Sequence, residues 1–319
     1  MSEKILIAGA TGFVGSRLVQ ALCRRGYNPT CLVRSRAGIK GLPPDIAYSV
    51  VEADLLDRQS LQHALEGIGF AYYLVHSMRS HGVFRSSDFA DRDRRAAENF
   101  VRAAEKHGVE RIVYLGGLGE LGDRLSKHLA GRQEVAGILS SRKPKLTELR
   151  AANIMGAGGA PFEMLRYLVE RLPVMIAPRW IDTRCQPIDI RDAIQYLIGC
   201  FTEESTAGAR FDIGGAQIVT YREMIRIYAG VRGLKRIVLS VPVLTPRLAS
   251  LWVALISPVP AGMVSALIEG LKNEVVCSEN RIRKIIGIPL TPMDISIRIA
   301  LKETDRGPGK FRAGNRPVS

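Results

Sequence analysis

The chain has 319 residues, enough for one large domain or two. At 46% hydrophobic and 24% charged it reads as globular, which excludes a chain disordered beyond its ends. Lys and Arg outnumber Asp and Glu by 45 to 31, and this net charge of +14 calls for an anionic partner. A phosphate-bearing cofactor or an anionic membrane surface fits; nucleic acid is not expected, because the basic residues are scattered and no nucleic-acid module is visible.

Ile5–Ala8 is a short apolar run that reads as a strand. Gly9-Ala10-Thr11-Gly12-Phe13-Val14-Gly15 follows at once, ahead of an amphipathic helix over Ser16–Arg25 that Gly26 stops. Glycines at 9, 12 and 15 allow a tight turn, a close approach of backbone to a pyrophosphate, and a helix lying close to the first strand. Further strands are expected at Thr30–Val33, Ala47–Val51 and Phe70–Val75, with a helix at Arg58–Leu65. A long polar connection, His76–Ser86, precedes a helix at Ser87–His107 capped by Gly108. Arg111–Leu115 is the next strand, entering Gly116-Gly117, and Leu146–Arg150 the sixth.

This alternation predicts an α/β fold: a Rossmann-type doubly wound parallel sheet in a dinucleotide-binding domain over residues 1–155, completed by later segments. Helices at Phe162–Arg171, Asp192–Phe201 and Tyr221–Val231, with a strand at Arg210–Ile213, predict a smaller C-terminal α/β substrate lobe over 156–302. Residues 303–319, rich in Gly, Pro and Arg, are expected to be a disordered tail.

The five cysteines form no C-x-x-C pair, which argues against zinc or a disulfide framework and for a reducing compartment; no metal is expected. The N-terminus lacks the features of a signal peptide, so the cytoplasm is the expected location. The longest apolar run, Leu248–Ile256, is too short to span a bilayer. Leu244–Leu271, with Trp252, is a candidate for peripheral contact with the inner membrane; the plainer reading is a helix pair covering the small lobe.

The glycine turn, Asp54-Leu55, Tyr114-Leu115-Gly116-Gly117, Leu149-Arg150 and Gln186-Pro187-Ile188-Asp189 with Asp192 resemble the short-chain dehydrogenase/reductase superfamily in its extended and atypical branches, over roughly residues 3–300. YYLVHSM (Tyr72–Met78), DRRAAENFVRAAE (Asp93–Glu105), EMLRYLVERLPVM (Glu163–Met175) and LTPRLASLW (Leu244–Trp252) resemble bacterial NAD(P)-binding proteins related to the nucleotide-binding accessory subunit of respiratory complex I.

The resemblance implies that Gly9 to Gly15 hold the cofactor's pyrophosphate. Arg34, after the second strand, stands where an acidic residue would accept from the ribose of NAD; an arginine there can pair with the 2′-phosphate of NADP(H), with Arg36 assisting. NADP(H) is therefore the expected cofactor and NAD(H) the alternative. Asp54 and Leu55 match the residues at the adenine edge, and His76 leaves the fourth strand beside the cofactor. Each has a plainer reading: surface arginines, and a turn aspartate before a helix. Asp189 and Asp192 read as turn and cap residues, Met164, Met175 and Trp180 as core, and Cys185 as an inert thiol.

Where many members of the superfamily carry Tyr-x-x-x-Lys, this sequence has His128-x-x-x-Arg132. Arg132 can hold ribose oxygens but, with a pKa above ~12, cannot exchange protons. His128, with an ordinary pKa of ~6.5, can donate to a carbonyl and titrate near neutrality. The resemblance then implies an NADPH-dependent reductase-like enzyme acting on a small carbonyl or quinone-like compound. The alternative is a non-catalytic NADP(H)-binding sensor or assembly factor at a respiratory or quinone-related membrane complex. Sugar-nucleotide epimerase or dehydratase chemistry ranks lower, because it ordinarily needs the missing tyrosine.

Overall fold

The computed structural model describes residues 4–39, 42–75, 86–119, 127–241 and 273–305. The first half comprises β1 (Ile5–Ala8), α1 (Phe13–Cys23), β2 (Thr30–Val33), β3 (Ser49–Glu52), α2 (Arg58–Ala64), β4 (Phe70–Tyr73), α3 (Ser86–Lys106), β5 (Arg111–Gly117), α4 (Lys127–Ser140) and β6 (Lys145–Ala151). Then come β7 (Ile154–Met155), α5 (Ala160–Arg171), β8 (Val174–Pro178), β9 (Arg184–Cys185), β10 (Ile188–Asp189), α6 (Ile190–Thr202), β11 (Arg210–Ile213), β12 (Val219–Thr220), α7 (Tyr221–Arg232), β13 (Ile237–Val241), α8 (Arg281–Ile285) and α9 (Met293–Asp305).

One seven-stranded sheet runs β11-β6-β5-β4-β1-β2-β3, and every neighbouring pair in it is parallel. From β1 the chain steps outward one way through β2 and β3, and from β4 the other way through β5 and β6. The β1–β4 boundary is therefore a switch point, where open α/β sheets take ligands beyond the C-terminal ends of their strands. This is the Rossmann-type doubly wound sheet that the sequence predicts.

The strands are apolar on both faces because helices cover both. On one face Leu18 and Leu22 of α1 and Ala193, Ile194 and Leu197 of α6 pack with Ile5, Ile7, Phe70 and Tyr72. On the other, Leu61 of α2, Phe100 and Val101 of α3 and Leu139 of α4 pack with Leu6, Ala8, Ala71 and Tyr73. Two elements of this layer come from late in the chain. Helix α6 is tied to the sheet by Tyr72, whose hydroxyl donates to the Leu197 carbonyl at 3.0 Å. Strand β11 extends β6, setting Arg150 beside Asp212 and Arg210 beside Glu148 in cross-strand ion pairs. A second core gathers Phe162 and Leu165 of α5, Tyr228 of α7 and Ile297 of α9, with the strand pairs β7–β10, β9–β12 and β8–β13 around it.

Several boundaries differ from the sequence reading. Helix α1 starts at Phe13 rather than Ser16, because Gly12 in extended geometry caps it directly after the turn. Strand β4 stops at Tyr73 rather than Val75, and β3 spans Ser49–Glu52 rather than Ala47–Val51. Helix α9 continues through Glu303, Thr304 and Asp305, the first residues of the expected tail. Residues 306–319, His76 and the segment Leu244–Leu271 lie outside the described residues. Among the described residues no helix is long and apolar enough to cross a membrane.

Candidate cofactor and active site

The turn after β1 is closed by backbone. The Gly12 amide donates to the Gly9 carbonyl at 3.0 Å, and Gly9 has φ +89°, a left-handed value that favours glycine. A Cβ on Gly9 would come within 2.8 Å of the Leu74 carbonyl oxygen, and one on Gly15 within 2.1 Å of the Gly9 carbonyl oxygen. Helix α1 can lie this close to the turn only with glycine at 15. No side chain caps α1 and no acidic residue stands in its first turn. The amides of Phe13, Val14 and Gly15 thus lack helical acceptors and point out at the positive end of the helix dipole. Ala10 is buried, Thr11 and Gly12 are exposed, and Phe13 and Val14 are half-buried. This cradle, which a Cβ would fill, fits a pyrophosphate. The segment before α5 lies against it: a Cβ on Gly159 would meet the Phe13 ring at 2.7 Å, and Arg17 donates to the Ala157 carbonyl at 2.7 Å.

Beyond β2, the two arginines singled out in the sequence part ways. Arg36 is engaged: its amide donates to the Glu52 carboxylate at 3.2 Å, and its Nε lies 3.4 Å from the same oxygen. Glu52 ends β3, and the parallel register Val33↔Glu52 brings it there, a pairing that no local spacing reveals. Arg34 is exposed and makes no ion pair among the described residues. Asp54 Oδ1 accepts from the Leu56 amide at 2.9 Å, an Asx turn ahead of α2, while Leu55 is buried. Its Oδ2 takes no hydrogen bond among the described residues.

At the C-terminal end of β5, Arg132 of α4 lies over Gly117; a Cβ on that glycine would come within 3.1 Å of its Cδ and of one terminal nitrogen. Arg132 Nε is buried and has no hydrogen-bond partner among the described residues. Burial lowers the Arg132 pKa, against the opposing pull of Tyr114 and Asp93. Tyr114, on β5, is buried and donates its hydroxyl to the Arg132 carbonyl at 3.2 Å. Burial raises its pKa, and the Arg132 charge offsets only part of that. The neighbours of Arg132 therefore come from β5 and α3, and the sequence reading did not connect them to it. The His128 side chain lies outside the described residues.

Beside this end, a cleft of about 360 Å³ is lined by Leu118, Gly119, Arg150, Asp212, Cys277 and Ser278. Asp212 is saturated: it accepts from Arg150 Nε at 2.7 Å, from the Ser278 hydroxyl at 2.7 Å and from the Ser278 amide at 2.9 Å. Burial pushes the Cys277 thiol up to about 12, and the Cys185 thiol, buried in the second core, likewise to about 12. Neither offers a thiolate at neutral pH. Asp189 caps α6 by accepting from the Arg191 amide at 2.8 Å, and Asp192 accepts from the Thr291 amide at 2.7 Å.

Comparison with known proteins places a family model described as NAD(P)H-binding on residues 9–154. Divinyl chlorophyllide a 8-vinyl-reductase of Arabidopsis thaliana is 22% identical over 252 residues, which are 75% of this chain and 60% of the plant protein. Subunit 9 of the NADH dehydrogenase [ubiquinone] 1 alpha subcomplex of Arabidopsis thaliana, a mitochondrial protein, is 22% identical over 69% of this chain and 56% of that protein. The chain thus spans less than two thirds of these relatives. Citrobacter sp. triphenylmethane reductase, solved with NADP(H), superposes with a TM-score of 0.75 at 20% identity, covering 93% of this chain and all of that one; this likeness is one of fold. Residues 9–154 match an NAD(P)H-binding domain, and a reductase and a complex I subunit are among the relatives.

Proposed function

We propose, from an NAD(P)H-binding domain with reductases among its relatives, that this chain is an NADPH-dependent reductase acting on a small carbonyl or quinone-like compound. The observation that supports it most is the half-buried Arg132, whose buried Nε has no hydrogen-bond partner among the described residues, laid over Gly117 at the C-terminal edge of the sheet. A buried N–H donor left unsatisfied is costly, so a bound group would be its natural acceptor. The amides of Phe13, Val14 and Gly15 would hold the pyrophosphate and Arg34 the 2′-phosphate.

When bound, NADPH supplies the hydride. Arg132, permanently charged, would hold ribose oxygens and favour negative charge developing on the acceptor oxygen. His128 would deliver the proton that completes reduction of a carbonyl to an alcohol. The neighbouring cleft, with Leu118 as an apolar wall, has the size of a small-ligand pocket.

A second reading, a cofactor-holding protein without turnover, is favoured by one observation. The Tyr114 hydroxyl is committed to a helix carbonyl and Arg132 exchanges no protons, so neither supplies an acid near neutrality. The two readings part on a single experiment. The purified protein is stripped of bound nucleotide, the nucleotide is identified, and NADPH oxidation is followed against aldehydes, ketones and quinones. Turnover that needs Arg132 supports the reductase; tight NADPH binding with no oxidation across the panel supports the second reading.

A further inference from the structure

The ribbon β8–β13 breaks the pattern of the rest of the fold. Its inner face is ordinary: Met175 and Ala177 are buried, and Val238 packs against the core of the small lobe. Its outer face carries Val174, Ile176, Ile237 and Leu239, which are 47%, 61%, 57% and 51% exposed. The parallel register sets Ile237 beside Val174 and Leu239 beside Ile176, so the four side chains make one patch. A strand with one face in water normally alternates apolar with polar residues; this one is aliphatic on both sides. Contiguous exposed apolar surface marks an interaction site.

What surrounds the patch indicates its partner. Because the strands are parallel, both begin at the same end, and cations stand at both beginnings. Arg171 ends the helix before β8, and Lys235 and Arg236 directly precede β13. Arg171 and Lys235 are exposed. The Arg171 guanidinium lies 4.6 Å from the centre of the Tyr167 ring, and Arg236 donates to the Val169 and Glu170 carbonyls. The nearby carboxylates are matched: Glu170 by Arg166 and Arg232, Asp182 by Arg222. Aliphatic side chains rimmed by cations and a tyrosine ring suit the boundary between acyl chains and anionic headgroups. At its other end β13 leads into residues 242–272, whose only charged residues are Arg247, Glu269 and Lys272, so the apolar character continues along the chain. The net charge of +14 has the matching sign.

We propose that the outer face of β8–β13 seats this protein peripherally on an anionic lipid bilayer. Its aliphatic side chains enter the headgroup boundary, and Lys235 meets the lipid charge. This surface is separate from the glycine turn, so it stands or falls independently of the reductase reading.

The test is flotation with vesicles of phosphatidylcholine and phosphatidylglycerol, and with phosphatidylcholine alone, at about 0.15 M salt, where long-range attraction is screened. The informative variant, Ile176→Ser with Leu239→Ser, leaves the net charge unchanged. Ile218→Ser with Ile295→Ser, at exposed aliphatic residues outside the ribbon, is the control. Expected is flotation of the wild-type and control proteins on anionic vesicles, with at least a tenfold loss of affinity in the ribbon variant. Should that variant melt early, Val174→Ser with Ile237→Ser repeats the measurement on the other register step. Three outcomes overturn the proposal. The wild type stays in the dense fraction; the ribbon variants float as well as the wild type, so net charge alone binds; or the wild type is a dimer that the ribbon variants dissolve, making a second copy the partner.

Discussion

The two ends of the candidate site are built differently. The phosphate end, from Gly9 to Gly15, is made of backbone: a left-handed glycine, a hydrogen-bonded turn and uncapped amides within seven consecutive residues. The reactive end is made of side chains drawn from separate elements, with Arg132 on α4, Tyr114 and Gly117 on β5, and Asp93 on α3. A backbone site is specified by local sequence and stays specified when the surroundings vary. A side-chain site depends on packing between distant segments, and its chemistry can change by substitution while the scaffold persists.

The sharpest way to break the comparison is at Gly12. Its φ of −75° and ψ of 175° suit any residue, and a Cβ there would come no nearer than 3.2 Å to the Gly9 carbonyl. Gly12→Val should therefore fold, with a melting temperature within a few degrees of wild type, yet show no measurable NADPH binding by calorimetry. Gly15→Ala should differ in kind. Its Cβ would collide with backbone, so thermal melting should report a loss of about 3 kcal/mol or more, beyond ordinary overpacking. If Gly12→Val binds NADPH normally, the glycine turn is not the phosphate site.

The next largest effect is expected at Arg132. Arg132→Met removes a guanidinium whose Nε is buried without a partner, so stability should hold or rise by up to ~1 kcal/mol. If the chain is a reductase, its NADPH oxidation should fall about 100-fold, the scale for losing one charged stabilising contact, while NADPH affinity changes less than tenfold. Equal loss of binding and turnover would make Arg132 a cofactor ligand only, and unaltered turnover would remove it from the reactive end.

The same contrast explains what the sequence made legible. Continuous apolar runs and helical spacing located most elements to within a few residues, because sheet and helix burial leave a local apolar pattern. Helix α1 was placed three residues late because Gly15, read as part of the turn, belongs to the helix and is admitted by close packing. The partner of Arg36 was not legible: Glu52 reaches it through strand pairing 16 residues away. Likewise the tie between Tyr114 and the Arg132 carbonyl, 18 residues apart, has no spacing signature. Strand β11 was legible as a strand, but its place beside β6 was not, since that depends on the ion pairs of Arg150 with Asp212 and Arg210 with Glu148.

Cofactor choice gives a smaller, graded effect. Arg34, beyond β2, makes no ion pair among the described residues, and a guanidinium on a 2′-phosphate contributes ~1.5–3 kcal/mol, a preference for NADPH of about 10- to 100-fold. Arg34→Asp should erase or invert it, since a carboxylate repels the phosphate and accepts from a 2′-hydroxyl. Calorimetric titration of NADPH and NADH against both proteins measures it. Because Glu52 already engages Arg36, Arg36→Ala should move the ratio less than threefold; a larger shift would reassign the phosphate to Arg36.

The smallest effect is expected at Tyr114, and it bears most directly on whether the reactive end has a hidden acid. The Tyr114 hydroxyl donates to the Arg132 carbonyl at 3.2 Å, inside α4, where that carbonyl also has a place in the helix ladder. Removing the hydroxyl therefore orphans nothing fully, and Tyr114→Phe should cost about 0.5–1.5 kcal/mol, a shift of a few degrees in melting temperature. Burial holds the Tyr114 phenol above its ordinary range, with the Arg132 charge opposing it only in part. The phenol thus stays neutral around neutral pH, so its titration does not shape a rate profile there. NADPH oxidation in Tyr114→Phe should keep the wild-type rate to within threefold and the same pH dependence. A fall of 100-fold or more, with the alkaline limb of the profile lost, would make Tyr114 the proton donor in place of His128. The reactive end would then have kept its tyrosine by moving it from the helix to the strand.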